Sequence, residues 1–349
     1  AAYSLRSLTG GDPKVVRVRR GSDNHEQDFT ASEVSSGALT SFVNAQVTAP
    51  LDIQALSATG RDGDFLIAKA AYSLRSLGTR QATLAATGDT VARADGKFVV
   101  QVRRSSDDAL KSFTATEITD GTLLAFVGTG GSDNGFVKTW YDQSVTTQAG
   151  DTATGNHATQ GTAASQPKIV NAGSLVTGGL DFDGTAHQLT LSSTLGITSA
   201  ASHFAVTNLN STGSIDTFFD NRDSSTDGYS IRTNDASNIN FDWLTSDAEV
   251  ARVSGEGLYY FNKTSSQTQS GANGGTLVTA SESGSVSVTT VPRIGARSFT
   301  SALNFFEGTI NELIIYGTDQ TDNRTAIEAN IGEAYSIDLP SGVDPGFDQ

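Results

Sequence analysis

Short runs in which hydrophobic and polar residues alternate follow one another along most of the chain after residue 135. Alternation with a period of two is typical of half-buried strands. It predicts strands at 136–141, 180–182, 189–191, 203–209, 216–220, 229–233, 239–244, 258–262, 286–291 and 305–316. Strands at this close spacing, without helices between them, indicate an antiparallel sandwich. One helix is predicted at 322–335, where Ile327, Ile331, Ala334 and Tyr335 recur at helical spacing.

An internal repeat occupies the first 130 residues. The word AYSLRSL at 2–8 recurs unchanged at 71–77, and the strand-like words at 16–23 and 29–34 recur with few changes at 100–107 and 113–118. Each copy is expected to form a short amphipathic helix, a strand, a turn and a second short helix. Thr or Ser followed by Glu predicts an N-cap with a capping box in both copies, at Glu33 and at Glu117.

These patterns predict a mainly β fold, in which a duplicated small α+β module precedes an antiparallel sandwich. We expect the first copy at 1–68, where it serves assembly or docking, and the second copy at 69–130, packed on the sandwich. The sandwich with its closing helix is expected at 131–337, and a tail or linker at 338–349. A module this small buries little surface alone, so each copy is expected to pack against the other copy, against the sandwich or against another subunit.

Charge and composition exclude several classes of function. The chain has 23 Lys and Arg against 38 Asp and Glu, a net charge of −15, which argues against nucleic acid and anionic membranes as partners. It has no Cys, so thiolate metal sites and thiol nucleophiles are excluded. The histidines His25, His157, His187 and His203 are scattered without the spacing of a metal site or catalytic triad.

The word TWYDQS at 139–144, followed by NHATQ at 156–160 and QPKIV at 166–170, is the most distinctive part of the sequence. With AYSLR at 71–75, it resembles the concanavalin-like or laminin-G-like jelly rolls found in bacteriophage structural proteins, marine bacterial surface proteins and, more distantly, the catalytic domains of α-L-arabinofuranosidases. The resemblance covers about residues 70–337 and implies a jelly-roll fold. Within it, Asp142, Gln143, His157, Gln160 and Asp183 are predicted to be structural motif residues.

Glycosidase chemistry needs two carboxyl groups in one cleft. The acidic residues in or beside predicted strands are Asp216, Asp220, Asp242, Glu249, Glu256, Glu307 and Glu312. No local motif around them matches the catalytic pair of the arabinofuranosidases, and the disulfides of that family are absent. The simpler interpretation is that they are outward-facing strand or turn residues. We therefore assign no catalytic residue and expect no enzymatic activity.

Two binding sites are predicted alongside structural alternatives. The loop residues Asp220, Asp223 and Asp227 offer hard oxygen ligands for calcium, the one cofactor the sequence suggests, or they form turn hydrogen bonds. Four aromatic residues are candidates for stacking on a glycan or for the core: Trp140, Tyr141, Trp243 and Tyr259. Alternation sends Trp140 and Tyr141 to opposite faces, so one of the two is expected in the core.

The sequence thus favours a non-enzymatic structural or adhesive protein. It would be a bacteriophage virion component, such as a head decoration, tail or fibre, or a surface filament subunit, and its jelly roll would bind a glycan. The expected partners are other copies of the chain, other virion or surface proteins and a cell-surface glycan. The expected location is the virion or the cell surface, without membrane insertion, because no run of apolar residues is long enough to span a bilayer. A glycoside hydrolase and a stand-alone carbohydrate-binding module remain the alternatives.

Overall fold

The computed structural model describes residues 14–19, 26–40, 68–77, 98–128, 131–144, 155–210 and 215–340. The chain divides into two compact units, one formed by Ala1–Pro50 with Pro345–Gln349 and one by Leu51–Asp344. The helix predicted at 2–8 and the end of the tail at 341–349 lie outside the described residues.

The first unit contains a β-hairpin and a short helix. Strand β1 (Lys14–Arg19) pairs antiparallel with β2 (Glu26–Thr30), and α1 (Ala31–Ser35) follows directly. The helix begins at a capping box in which the Thr30 hydroxyl accepts from the Glu33 amide and the Glu33 carboxylate accepts from the Thr30 amide.

The described residues of the second unit form strands β3 to β21 and three α-helices. The strands are β3 (Ala68–Ser73), β4 (Phe98–Arg104), β5 (Leu110–Thr114), β6 (Gly135–Trp140), β7 (Ala158–Thr159), β8 (Lys168–Asn171), β9 (Ser174–Leu175), β10 (Leu180–Asp183), β11 (Leu189–Leu191), β12 (Ala201–Leu209), β13 (Thr217–Arg222), β14 (Gly228–Thr233), β15 (Asn238–Trp243), β16 (Ser246–Ala251), β17 (Glu256–Lys263), β18 (Gln267–Ala272), β19 (Val278–Ser281), β20 (Arg293–Ile294) and β21 (Glu307–Tyr316). The helices are α2 (Ala115–Thr119), α3 (Thr122–Val127) and α4 (Arg324–Tyr335).

The described parts of the two repeats have the same local structure. In the second copy β4 and β5 form the hairpin, and α2 begins at a capping box between Thr114 and Glu117. The strands and capping boxes predicted from the repeated words are therefore confirmed. In the second copy β4 also pairs with β6, and β3 pairs with β21, so its strands continue directly into the large sheet.

The predicted antiparallel sandwich is confirmed. One layer has the strand order β19-β18-β17-β12-β21-β10, and the other has the order β16-β15-β14-β13-β20-β11-β7. Strand β6 joins the layers: β4 pairs along one of its edges, and the other edge pairs with β8 at its start and with β7 at its end. Apolar side chains of both layers meet between them, as in the ring contact between Phe241 and Phe261, whose centroids are 6.1 Å apart.

Each layer also has an outer face, and the two outer faces differ in chemistry. The first layer is apolar outside, because Phe204, Tyr260 and Ile314 pack against Ile327 and Ile331 of α4. The second layer is polar outside, on strands β13 to β16. Helix α4 thus covers one outer face, and the candidate site lies on the other.

Two predicted elements are wrong. Residues 71–77, predicted as a helix, begin as strand β3, because the backbone of Ala71 and Tyr72 pairs with the edge of β21. Residues 286–291, predicted as a strand, have no regular structure, although Val286 is buried in the core and Val288 packs against it. The alternation arises here because one side of the segment packs against the core, although its backbone does not pair with a neighbouring strand.

Candidate functional site

A row of polar side chains crosses the outer face of the second layer. Asp220 on β13 lies opposite Ser230 on β14, Ser230 lies opposite Asp242 on β15, and Asp242 lies opposite Asp247 on β16. Residues directly opposite in antiparallel strands point to the same face. We call these four residues the polar row. Their neighbours in sequence, such as Phe219, Ile231 and Phe241, point into the core.

A second row runs beside the polar row. Arg232, Asn240 and Glu249 lie opposite one another on β14, β15 and β16. The Asn240 side-chain amide donates to Glu249 at 2.9 Å, while the buried Oδ1 of Asn240 has no hydrogen-bond donor among the described residues. Oδ1 of Asp242 in the polar row is likewise buried without a hydrogen-bond partner among the described residues.

The polar row is more exposed at its β16 end. Asp247 and Glu249 are exposed, whereas Asp220 and Ser230 are fully buried. At the exposed end, Arg232 forms a salt bridge with Asp242, and Ser230 donates to Asp242 at 3.2 Å. We call Asp242, Asp247 and Glu249 the acidic end.

The Asp242 and Asp247 side chains at the acidic end lie directly opposite each other on β15 and β16, so their carboxyl groups are neighbours on one face. Partial burial, together with the neighbouring Asp242 carboxylate, raises the pKa of Asp247 to about 7. Near neutral pH Asp247 therefore carries a proton in part of the molecules, and the acidic end offers both a hydrogen-bond donor and acceptors to a ligand hydroxyl.

Three arginines gather at the other end of the row, around Asp220. Arg222 pairs with the Asp220 carboxylate, with Nε at 2.8 Å, and the Ser298 hydroxyl donates to the same carboxylate. Arg293 lies opposite Asp220 on β20. The guanidinium carbons of Arg222 and Arg297 lie 5.1 and 4.6 Å from the ring centroid of Phe299. We call Arg222, Arg293 and Arg297 the arginine end.

The remaining predicted carboxylates lie away from this face or are engaged in structure. Glu312 is fully buried on β21, where it pairs with Arg75 and accepts from Ser73 and Tyr335. Glu256 accepts from the Asn311 side chain, and burial raises the pKa of Glu256. Asp216, 6% exposed, begins the turn into β13, and Glu307 is at the start of β21. The structure therefore brings together only Asp220, Asp242 and Glu249 of the seven, with Asp247 added.

The four aromatic residues predicted for glycan stacking are core residues, and this prediction is corrected. Trp140, Trp243 and Tyr259 have no exposed surface, and Tyr141 has 2%. Trp243 stacks on Tyr229 with centroids 4.8 Å apart, and Tyr259 stacks on Phe261. A sugar needs an exposed ring face, which none of the four provides. Trp140 and Tyr141 do not divide into one core and one surface residue, because both sides of the chain are covered here.

The predicted calcium ligands do not converge, and this prediction is corrected as well. Asp220 is occupied by Arg222 and Ser298, and Asp223 accepts from Thr289 and from the Thr290 amide. Asp227 accepts from the Ser287 amide at 3.3 Å. Among the described residues, no three acidic or histidine side chains form a group that could hold a metal ion. Asp223 and Asp227 instead fasten the segment before β20 to the β13–β14 loop.

Three of the predicted motif residues, Asp142, Gln143 and His157, form a hydrogen-bond network that links the end of β6 to the repeated segment at 71–77. We call this network the clamp. The Asp142 carboxylate accepts from the backbone amides of Ala71, Ser144 and Asn156, and its own amide donates to Nδ1 of His157. Gln143 accepts from the Leu77 amide, and its Nε2 donates to two carbonyls of the repeated word.

The other two motif residues hold turns. Gln160 accepts from the Thr162 amide and donates to the Gln188 carbonyl. Asp183 accepts from three successive backbone amides after β10. Partial burial alone would raise the pKa of Asp183, but these donors hold it well below its usual value.

Sequence reasoning missed Asp247, Arg232, Arg293, Arg297 and Phe299. The available signal was the repetition of polar residues at alternate positions in consecutive strands, as in Ser230 and Arg232. That signal places residues on one face of a strand, but only the register between strands shows which of them are neighbours.

No helix among the described ranges is long and apolar enough to cross a membrane.

No protein-family model and no curated protein matches the chain. Solved structures do match. A GH54 α-L-arabinofuranosidase soaked with a cyclic sulfate inhibitor is 14% identical, with a TM-score of 0.51 over 81% of this chain and 65% of that chain. An arabinofuranosidase complexed with arabinofuranosyl-α-1,2-xylobiose is 13% identical, with a TM-score of 0.51 over 85% of this chain and 67% of that chain. The chain thus spans about two thirds of their length. At this identity the likeness shows a shared β-sandwich fold and not a shared activity.

Proposed function

We propose that the chain is a non-enzymatic adhesive protein of a virion or cell surface, and that it binds a glycan on the outer face of β13 to β16. The polar row and its companion row carry this proposal. They present hydroxyl, amide, carboxylate and guanidinium groups in fixed register across four strands, which matches the many hydroxyl groups of a sugar. The solved structures with this fold include an arabinofuranosidase holding an oligosaccharide, which supports a sugar as the ligand class.

Ligand recognition needs polar atoms that are positioned but not saturated. Oδ1 of Asn240 has no donor among the described residues, and the carboxyl group of Asp247, whose pKa is raised to about 7, can donate or accept toward a ligand. Asp247 and Glu249 are exposed and reachable. Asn240 itself is fully buried, so the group that a sugar hydroxyl reaches here is the exposed Glu249 carboxylate to which the Asn240 amide donates.

A glycoside hydrolase, the alternative from the sequence, fits this geometry less well. A retaining enzyme needs carboxyl groups about 5–5.5 Å apart and an inverting enzyme needs a wider gap. The Asp242 carboxylate is 4% exposed and is already engaged by Arg232 and by the Ser230 hydroxyl, so it is poorly placed to act on a sugar as nucleophile or base. Asp220 lies two strands from Asp242, about 10 Å by the usual strand spacing, but it is fully buried and held by Arg222 and Ser298.

The proposal is tested by glycan-array binding followed by calorimetric titration of the best ligand. Asp247→Ala and Glu249→Ala should each weaken binding by about 10- to 100-fold, the value of a hydrogen bond to a charged group. Asp322→Ala is the matched control, because Asp322 is exposed next to α4, which covers the other layer. Binding that is unchanged in the two site variants would refute the proposed face, and sugar release from the ligand would favour the hydrolase.

The assembly or docking role of the first copy of the duplicated module stays part of this proposal. Its support is the repeated hairpin and capped helix, which preserve one local structure in both copies. Removal of residues 1–68 followed by light scattering tests it. An oligomeric state that does not change on truncation would overturn the assembly role without bearing on glycan binding.

A further inference from the structure

The arginine end carries more positive charge than its surroundings neutralise. Arg222, Arg293 and Arg297 share one carboxylate, Asp220, whose oxygens already accept from Arg222 and Ser298. Among the described residues, neither Arg293 nor Arg297 forms a salt bridge. The local excess is two positive charges, in a chain whose net charge is −15.

These two arginines are held close together although they repel each other. Arg293 donates from Nη1 to the carbonyl of Arg297 at 2.8 Å, and Arg297 donates from Nη2 to Thr300 at 2.9 Å. Both are half-buried. Burial lowers the pKa of Arg293; Asp220 opposes this effect, and the charge of Arg297 adds to it. Two half-buried cations that form no salt bridge within the described ranges are costly, so the protein maintains an unfavourable arrangement here.

The donors of the arginine end are positioned but incompletely used. Nε of Arg297 is buried and has no hydrogen-bond partner among the described residues. The Arg297 guanidinium is fixed in place by the Phe299 ring and by Thr300, and that of Arg293 is fixed by the Arg297 carbonyl. A planar guanidinium with free N–H groups and fixed orientation is suited to bind a carboxylate or sulfate with two parallel hydrogen bonds.

We propose that the arginine end, through Arg293 and Arg297, binds the anionic substituent of an acidic glycan, a carboxylate or a sulfate group. This inference rests on the proposed glycan-binding face, of which the arginine end is one edge. It gives the ligand a direction, because the acidic end at β16 repels the same substituent. The anionic group lies at β20 and β13, and the neutral hydroxyl groups extend toward Asp242 and Asp247.

The test compares oligosaccharides of matched length that are neutral, uronate-bearing or sulfated, measured by calorimetric titration against the full chain. We expect the wild-type chain to bind one of the two anionic sets at least about tenfold more tightly than the neutral set, the value of one charge-assisted pair. The preferred set identifies carboxylate or sulfate as the recognised group.

Variants locate the effect. Arg297→Gln and Arg293→Gln should reduce the ratio of anionic to neutral affinity to about one, and Arg297→Lys should retain part of it, because the charge stays while the planar fork is lost. Lys69→Gln, an exposed cation on β3, is the control for charge alone. The ratio is used because a loss of folding would lower both affinities together.

The outcomes separate this inference from the proposed function. Tight binding of neutral glycans with no preference for anionic ones would overturn the anion site and leave the glycan-binding face standing. An anionic preference that persists in both arginine variants would place the anion elsewhere and also overturn it. Binding to none of the three sets would overturn the proposed function and this inference together.

Discussion

His203 should make the sandwich less stable in acid, by an amount that its surroundings allow us to calculate. The side chain lies on β12 between Phe219, Tyr229 and Phe241, whose ring centroids are 5.5, 5.3 and 5.7 Å away. It has no exposed surface, and neither ring nitrogen has a hydrogen-bond partner among the described residues. Burial lowers the pKa of His203 from 6.5 to about 3.

The sign follows from proton uptake. Below pH 6.5 the unfolded chain binds a proton at this histidine, but the folded chain stays neutral until about pH 3. The contribution of the neutral ring is therefore fully present above pH 6.5 and is lost as the pH falls toward 3, with a total of about 5 kcal/mol at about 1.4 kcal/mol per unit. Between pH 6 and pH 4 the loss is about 2.5 kcal/mol.

Urea unfolding of wild type and His203→Leu at these two pH values measures the effect. Trp140 and Trp243 are both buried in the sandwich, so their fluorescence reports on its unfolding. Acidic groups with lowered pKa values contribute equally to both proteins and cancel in the difference. Phe204→Leu, one residue along β12, controls for a loosened core. If wild type and His203→Leu lose the same stability between pH 6 and pH 4, the reasoning is wrong.

Three further predictions concern the clamp, the core and the acidic end. Asp142→Ala leaves three backbone amides without their acceptor and should lower the free energy of unfolding by at least about 3 kcal/mol in urea titrations. Asp142→Asn keeps one acceptor oxygen and should lose less; equal losses in the two variants would contradict the role of that oxygen as an acceptor. Trp243→Ala should cost about 3–5 kcal/mol of stability while ligand affinity in the folded protein stays unchanged, whereas a selective loss of affinity would restore the stacking prediction. For Asp247 the raised pKa means that stability present in acid is lost as the pH rises from about 4 through 7. Asp247→Asn should lack this loss in thermal melts at pH 5 and pH 8, and a variant that follows the wild-type profile would contradict the raised pKa of Asp247.

Much of the sandwich could be predicted, because alternation within a strand is a local property. The strand expected at 239–244 is β15, and the one expected at 229–233 lies within β14. The repeated segment at 71–77 is expected to be a helix because its hydrophobic spacing fits one, but its first residues belong to strand β3. Its true state depends on the edge of β21, which lies more than 200 residues away in sequence. A non-local partner of this kind cannot be found from a local pattern.

The candidate site was harder to predict than the fold, for a related reason. Asp220 and Asp242 were both candidates, but their membership in one row depends on the register of two hairpins. Asp247 lies on a strand that the alternation did not identify, and Arg293 lies on a strand of two residues. Arg297 lies just beyond that strand, so its position depends on loop geometry.

The distinctive sequence motif and the candidate site are separate because a hydrogen-bonding group has a limited capacity. Asp142 uses both carboxylate oxygens on backbone amides, and Gln143 uses both its oxygen and its nitrogen on the repeated word. Such groups define the fold, but they have little left for a ligand. Asn240 and Arg297, which belong to no motif, each retain a buried polar atom without a partner among the described residues. A buried unpartnered group lowers stability, and a ligand that satisfies it recovers that free energy on binding. The motif residues therefore stabilise the fold. We expect ligand recognition at the outer face of β13 to β16 and at the arginine end, where polar atoms lack hydrogen-bond partners among the described residues.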